Sequence, residues 1–455
     1  MKKRLFSGSL LGLKRSVLHR ADTNPFIRIF LEEPVDRERL KKALLLSLSD
    51  CPYMRYTVTE DEGIFLSLSE NDSPLPLLKE EPYEINTAEN NGHSAAVCCR
   101  DNFIGVYVTH SLTDGAGIFT FTRTLLDRYF GEKDGIFKGA GEADYDRDPL
   151  ETQRSVPEKY KGAFVPGKNI LTLPDTETRG IRDTSLLRAS YTAFKTLCKD
   201  LDASVQTVLT LLCLKALSIL YPDDDRTVSA RIPVNARKHF SIPNSFQNAS
   251  LANMRVFIDS KELKSADDSE LLRLIGEQCM AQNTQDEVSF QYNEWRKVLF
   301  AGSREERMKR IVPLAGQDTI MISHLGKGLA GDTYAGRIKA PMAAALLFPL
   351  MVYSMVVGDR IFFFIHEAGS LSENQFTQSA RPHFAGESDT NLGHVARYAP
   401  QIRSVPPQTG DAHLGQSVFG QSPGGNRDFG STLKTVLERR GIDIAEFDPE
   451  TGKAV

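Results

Sequence analysis

One short window of the sequence combines the residue types that acid–base chemistry needs. In "FIGVYVTHSLTDGAG", residues 103–117, an apolar run ends at His110 and is followed by Asp114 and Gly115. A neutral imidazole can take a proton from an alcohol, amine or thiol near physiological pH and later return it. A base of this kind typically contributes ~10²–10⁴-fold in rate. It must be held in one orientation at a cavity wall, and the end of a central strand is a rigid place to hold it. Asp114 can orient the ring, or can instead pin the loop by pairing with an arginine. Gly115 and Gly117 permit close backbone approach and a tight turn into a following helix. An ordinary strand-to-helix turn also favours Asp and Gly, for backbone reasons alone. Position weighs for chemistry, because the window lies between a good strand and a good helix.

The elements around this window must supply the rigidity. "GIFTFTRTLLDRYFG" reads as a helix stopped by Gly131. Upstream, residues 37–50 carry a helical stripe of Leu40, Ala43, Leu44 and Leu48. "CPYMRYTV" and "GIFLSLS" read as neighbouring strands. Helix, strands, central strand and helix in that order predict a mixed sheet covered by helices. Gly131 to Ser185 is rich in Gly, Pro, Asp and Glu and reads as a linker or crossover.

The pattern then restarts. "LLRASYTAFKTLCKDL" predicts a strand and a helix, and "SVQTVLTLLCLKALSIL" a strongly apolar helix capped by Ser204. "TVSARIPVNAR" and "NASLANMRVFID" read as strands, and "SADDSELLRLIGEQCMAQN" as a helix with acidic residues in its first turn. "PLMVYSMVV" and "RIFFFIHEAG" flank Gly358-Asp359, a two-residue hairpin turn. The expected architecture is therefore α/β (α+β): two similar sandwich domains, 1–175 and 176–455. Residues 380–427, rich in Gly, Pro, Gln, Ser and His, form an irregular tail, after which "GSTLKTVLERRGIDIAEF" reads as helical.

Bulk properties narrow the function. At 455 residues the chain exceeds a single core, and its 41% hydrophobic and 25% charged content is that of a globular protein. The net charge of −4, with both signs interspersed, argues against nucleic acid as a partner. No stretch of 18 apolar residues suggests a membrane span. The opening "MKKRLFSGSLLGLKRSVLHRA" is basic with a short apolar run, but Lys14 and Arg15 interrupt it, so a cytoplasmic location is expected. The six cysteines lack C-x-x-C spacing and read as reduced core residues, and no spacing supports a metal site.

"THSLTDGAG" resembles the H-H-x-x-x-D-G motif of the acyltransferase superfamily that includes chloramphenicol acetyltransferase, condensation domains and alcohol acetyltransferases. "RIPVNARK" at 231–238 resembles the family's P-V-x-x-R segment. "FQNASLANM" resembles its Gly-Asn strand start, and "ISHLGKG" at 322–328 its Ser-Asn-x-Gly segment. The resemblance covers roughly residues 1–378. It implies two chloramphenicol-acetyltransferase-like domains arranged as a pseudo-dimer, with the site in a tunnel between them. His110 would be the general base that activates a hydroxyl or amine acceptor for attack on an acyl thioester, without an acyl-enzyme. Asp114 would pair with Arg237, and Gly115 would complete the motif.

Three departures stand out. Thr109 occupies the position of the first histidine, His324 that of the asparagine, and Gln247 that of the glycine. The plant-type D-F-G-W-G motif is not matched by "RDFGSTL". Thr109, Ser323, His324 and Asn248 are further candidates to line the site. The implied co-substrate is acyl-CoA or an acyl carrier protein, with no permanently bound cofactor and no metal, acting in a monomer. A catalytically silent relative that binds a ligand or partner at the same cleft is the rival of a different class. "GQSPG" at 420–424 fits a serine-hydrolase pattern but lacks its strand, so Ser422 is not expected to be a nucleophile. His366 is expected to be packed or exposed rather than catalytic, and His383, His394 and His413 to be surface residues.

Overall fold

In the computed structural model the described residues are 3–17, 24–60, 65–82, 84–131, 147–163, 169–173, 182–315, 318–327, 329–330, 333–344, 348–368, 428–449 and 451–455. The tail at 380–427, with Ser422, His383, His394 and His413, lies outside them, as does much of the expected linker.

In chain order the strands are β1 (Lys3–Leu5), β2 (Phe26–Leu31), β3 (Tyr56–Glu60), β4 (Leu66–Glu70), β5 (Leu77–Leu78), β6 (Ala95–Arg100), β7 (Phe103–Val108), β8 (Arg182–Ser190), β9 (Thr227–Pro233), β10 (Asn253–Asp259), β11 (Ile320–Lys327), β12 (Ile338–Ala344), β13 (Leu350–Val357), β14 (Arg360–Ala368) and β15 (Ala445–Phe447). The helices are α1 (Phe6–Val17), α2 (Arg37–Asp50), α3 (Gly115–Phe130), α4 (Pro149–Thr152), α5 (Tyr191–Asp200), α6 (Val205–Leu220), α7 (Ser260–Ser265), α8 (Asp268–Gln282), α9 (Gln285–Leu299), α10 (Arg304–Ala315) and α11 (Phe429–Glu438).

Two mixed sheets carry the fold, both covered by helices. The first has the order β12-β2-β7-β6-β5, and the second β10-β9-β11-β13-β14-β8-β15. Parallel pairing occurs at β5/β6 in the first and at β9/β11/β13 in the second. A small antiparallel sheet, β1-β4-β3, completes the set. Strand β12 comes late in the chain, yet it pairs with β2 and so extends the sheet that holds His110.

Local chemistry explains the elements that matter for the site. β7 is the middle strand of its sheet, and all six residues of "FIGVYV" are buried. α3 starts where the Asp114 side chain accepts from the Ala116 and Gly117 backbones, and it stops at Gly131, whose φ of 84° is left-handed. Its buried face includes Ile118, Phe121 and Leu125, each stabilising the packing by roughly 2 kcal/mol. Gly117 is required by space, because a Cβ there would collide with Thr113 Oγ1. Gly115 is not: a Cβ would meet Leu325 at an ordinary 3.5 Å.

In the second sheet β14 is buried on both faces. Phe362 and Phe364 join the core shared with the first sheet, while Ile361, Phe363 and Ile365 face the core under α5 and α6. The expected hairpin joins β13 and β14 through Gly358-Asp359. Ser204 caps α6 by accepting from Thr207 N.

Two local expectations are corrected. "CPYMR" is a 3-10 turn rather than strand, because Pro52 at its start fixes a helical φ. The segment 430–447 is helical only to Glu438. Gly441 then turns the chain with φ 72°, and β15 adds an edge strand beside β8. Residues 3–17, to which the sequence reading assigned no element, form β1 and α1, burying Leu5 and Leu10.

Candidate active site

His110 follows β7 directly, on the turn that leads into α3. Its Nδ1 lies 3.1 Å from the Thr113 carbonyl oxygen. In the tautomer that donates from Nδ1 to this carbonyl, Nε2 is the acceptor. Asn248 Nδ2 is also 3.1 Å from Nδ1 and 3.3 Å from the His110 carbonyl oxygen. Its Oδ1 accepts from Ser250 N and Oγ, which fixes the amide's orientation and directs Nδ2 to the His110 carbonyl. Asn248 thus sits behind His110 and supports it, rather than lining the cavity in front.

Asp114 is buried and holds its loop to a distant part of the chain. One carboxylate oxygen accepts from Ala116 N, Gly117 N and Arg237 Nη2, and the other from Arg237 Nη1 at 2.8 Å and Ala249 N at 2.8 Å. Burial alone would raise its pKa. The Arg237 charge and these N–H donors outweigh it and hold the carboxyl below its ordinary value. Arg237 uses all its donors: Nε to the Ser245 carbonyl, Nη1 also to Asn235 Oδ1, and Nη2 also to the Gln247 carbonyl. Thr113 Oγ1 donates to the Phe246 carbonyl. The loop 110–114 is therefore stitched along its length to residues 235–250.

A cavity of about 330 Å³ opens in front of this loop. Among the described residues it is lined by His110, Asp114, Gly115, Ser323 and His324, with Arg231 and apolar side chains including Trp295 and Phe348. Thr109 and Asn248 are not in its lining. Thr109 closes the end of β7 instead, its N–H donating to the Ser94 carbonyl. His324 Nδ1 is 2.8 Å from Ser354 Oγ, and burial holds its pKa below the ordinary imidazole value.

Other reactive residues are accounted for elsewhere. His366 is buried, with Nδ1 3.1 Å from Thr184 Oγ1 and Nε2 3.2 Å from the Ala343 carbonyl. Burial pushes the Cys51 and Cys98 thiols up to about 12, which leaves them unreactive. Among the described residues no group of three His, Cys, Asp or Glu side chains is placed to hold a metal ion. No single described helix is long and apolar enough to cross a membrane.

Sequence reasoning missed Trp295 and Arg231 as wall residues. Trp295 lies on α9, a helix not anticipated although Thr284 caps it and Asp286 and Glu287 begin it. Those cap and charge signals were available to find the helix. Nothing in the sequence pointed to its contact with the cavity.

No protein-family model matches the chain, and neither does any curated protein. Solved structures do. TRI101 of F. sporotrichioides, crystallised with coenzyme A and T-2, superposes with a TM-score of 0.55 at 13% identity, over 81% of this chain and 95% of that one. The trichothecene 15-O-acetyltransferase TRI3 from Fusarium sporotrichioides gives 0.53 at 14% identity, over 83% and 92%. The epimerization domain from the third module of tyrocidine synthetase B gives 0.51 at 10% identity, over 83% and 94%. Shared architecture at such low identity speaks to fold alone, and this chain has the α/β fold that it shares with TRI101, TRI3 and the epimerization domain.

Proposed function

We propose that the protein transfers an acyl group from a thioester, acyl-CoA in the first instance, to a hydroxyl or amine. The observation that carries this is the orientation of His110. It lines the cavity with Nδ1 held 3.1 Å from the Thr113 carbonyl, and in this reading Nδ1 donates there and Nε2 takes the proton. Nε2 accepts the acceptor's proton as its oxygen or nitrogen bonds to the thioester carbonyl carbon. The C–S bond then breaks, and the proton passes to the departing thiolate, releasing free thiol. No acyl-enzyme forms.

Asp114 and Arg237 act in this scheme as positioning residues that hold the loop, and Ser323 and His324 contact the substrate. The neighbours' association with coenzyme A supports the choice of donor. The same reading divides the chain near residue 175, with β12 reaching back into the first sheet.

The test is thiol release from acetyl-CoA and longer acyl-CoAs with panels of alcohols and amines. Release should require both the acceptor and His110, and should be lost in His110→Ala. Activity only with acyl-loaded carrier protein would move the donor assignment to the condensation type. Saturable ligand binding without turnover from any donor would leave a silent binding protein and overturn the proposal.

A further inference from the structure

Helix α1 carries Leu10 and Leu11 into the wall of the cavity. Gly8 fixes its position there at close range. A Cβ at Gly8 would collide with the carbonyl oxygen of Ser111, the residue after His110. Glycine therefore lets the helix press its backbone against the His110 loop. Leu11 is three residues on from Gly8 and stands on the same helix face, about 4.5 Å further along the axis. The side chain that it presents to the cavity is thus close to the loop that bears the candidate base.

Hydrogen bonds to other parts of the chain hold α1 in this place. Phe6 N, Ser7 N and Ser7 Oγ donate to the buried Asp148 carboxylate, and Ser9 Oγ accepts from Leu66 N on β4.

The wall beside α1 is apolar in a specific way. Leu10 belongs to a core cluster with Val234, Leu251 and Trp295, and Leu11 packs against that cluster. All five residues line the cavity. Polar atoms that come with them are bonded within the wall. Trp295 Nε1 donates to the Leu251 carbonyl at 3.1 Å, and Val234 N donates to the Ala252 carbonyl at 2.9 Å. This part of the wall consequently presents mainly hydrocarbon surface, against which an alkyl group gains roughly 25 cal/mol per Å² taken out of water.

We propose that these five residues form an apolar subsite beside the His110 loop, and that the size of residue 11 sets how large an alkyl group fits there. This rests on the acyl-transfer reading and names the substrate class of that same cavity, a reactant carrying an alkyl chain. The chain belongs either to the acyl group of the thioester or to the acceptor. The recognition chemistry is the same.

The test measures thiol release by the full chain in two series. One runs from acetyl-CoA to octanoyl-CoA with 1-butanol or 1-butylamine, and the other from ethanol to 1-octanol, or the matching amines, with acetyl-CoA. The readout is kcat/KM for the longest member divided by that for the shortest. In at least one series this ratio should be about tenfold or more higher in Leu11→Ala than in Leu11→Trp, with wild type between them. A residue that merely holds the fold would move both members together and leave the ratio alone. The series whose ratio moves identifies the source of the chain. Ratios that agree between the two variants in both series overturn the proposal. Should Leu11→Trp fail to fold, Leu11→Ala against wild type decides by the same ratio. If wild type turns over no member of either series, the acyl-transfer reading fails separately. Calorimetric titration with 1-octanol then decides the subsite alone. Weaker binding by Leu11→Trp than by Leu11→Ala supports it, and equal affinity, or no binding by either, overturns it.

Discussion

The two walls of the cavity are built on opposite plans. On the His110 side the functional groups lie in one contiguous loop, clamped by Arg237 and by backbone donors until every donor of the guanidinium is used. On the other side Arg231, Ser323 and Tyr353 are brought together from separate strands by sheet register alone. The first wall fixes His110, the proposed base, through hydrogen bonds, whereas the second presents a surface whose character depends on which face each strand turns inward. The first arrangement suits common chemistry and the second suits selection among substrates.

Breaking the clamp should have the largest effect. Arg237→Ala leaves the Asp114 carboxylate buried without its cation, and about 3–5 kcal/mol of stability should be lost, measured by urea unfolding. Asp114→Asn should cost less and should change the pH response. The folded pKa of Asp114 is depressed, so its contribution is present above the ordinary value of 3.8 and is lost as pH falls through the lower folded value. Wild-type stability should therefore decline on acidification through that window, and Asp114→Asn should decline less steeply.

These two effects bear on what the sequence could disclose. The His110–Asp114 loop was legible because its residues are adjacent in the chain, and the alternation of β7 and the capping of α3 marked its position. The pattern of strands and helices likewise gave both mixed sheets and the β13/β14 hairpin. Arg231 was quoted within "RIPVNARK" yet carried no signal of its own. Its place in the wall depends on the parallel neighbours β9 and β11, which lie some ninety positions apart. The crossing of β12 into the first sheet was hidden for the same reason, since strand pairing between distant segments leaves no local periodicity. The departures at Thr109 and His324 were visible, but their consequences were not. Thr109 closes a strand, while His324 meets the cavity.

Smaller changes sharpen the contrast further. Gly117→Ala forces a methyl against Thr113 and should cost about 1–3 kcal/mol, whereas Gly115→Ala should stay within about 0.5 kcal/mol in thermal unfolding. The smallest effect is expected at the second wall's histidine. His324→Asn should keep acyl transfer within about tenfold of wild type.

The most direct measurement is the rate of thiol release by His110→Ala, with and without added imidazole, beside its thermal unfolding curve. A rate ~10²–10⁴-fold below wild type, partly restored by imidazole and with unfolding unchanged, is the outcome expected of a general base. A variant that keeps the wild-type rate would contradict the assignment.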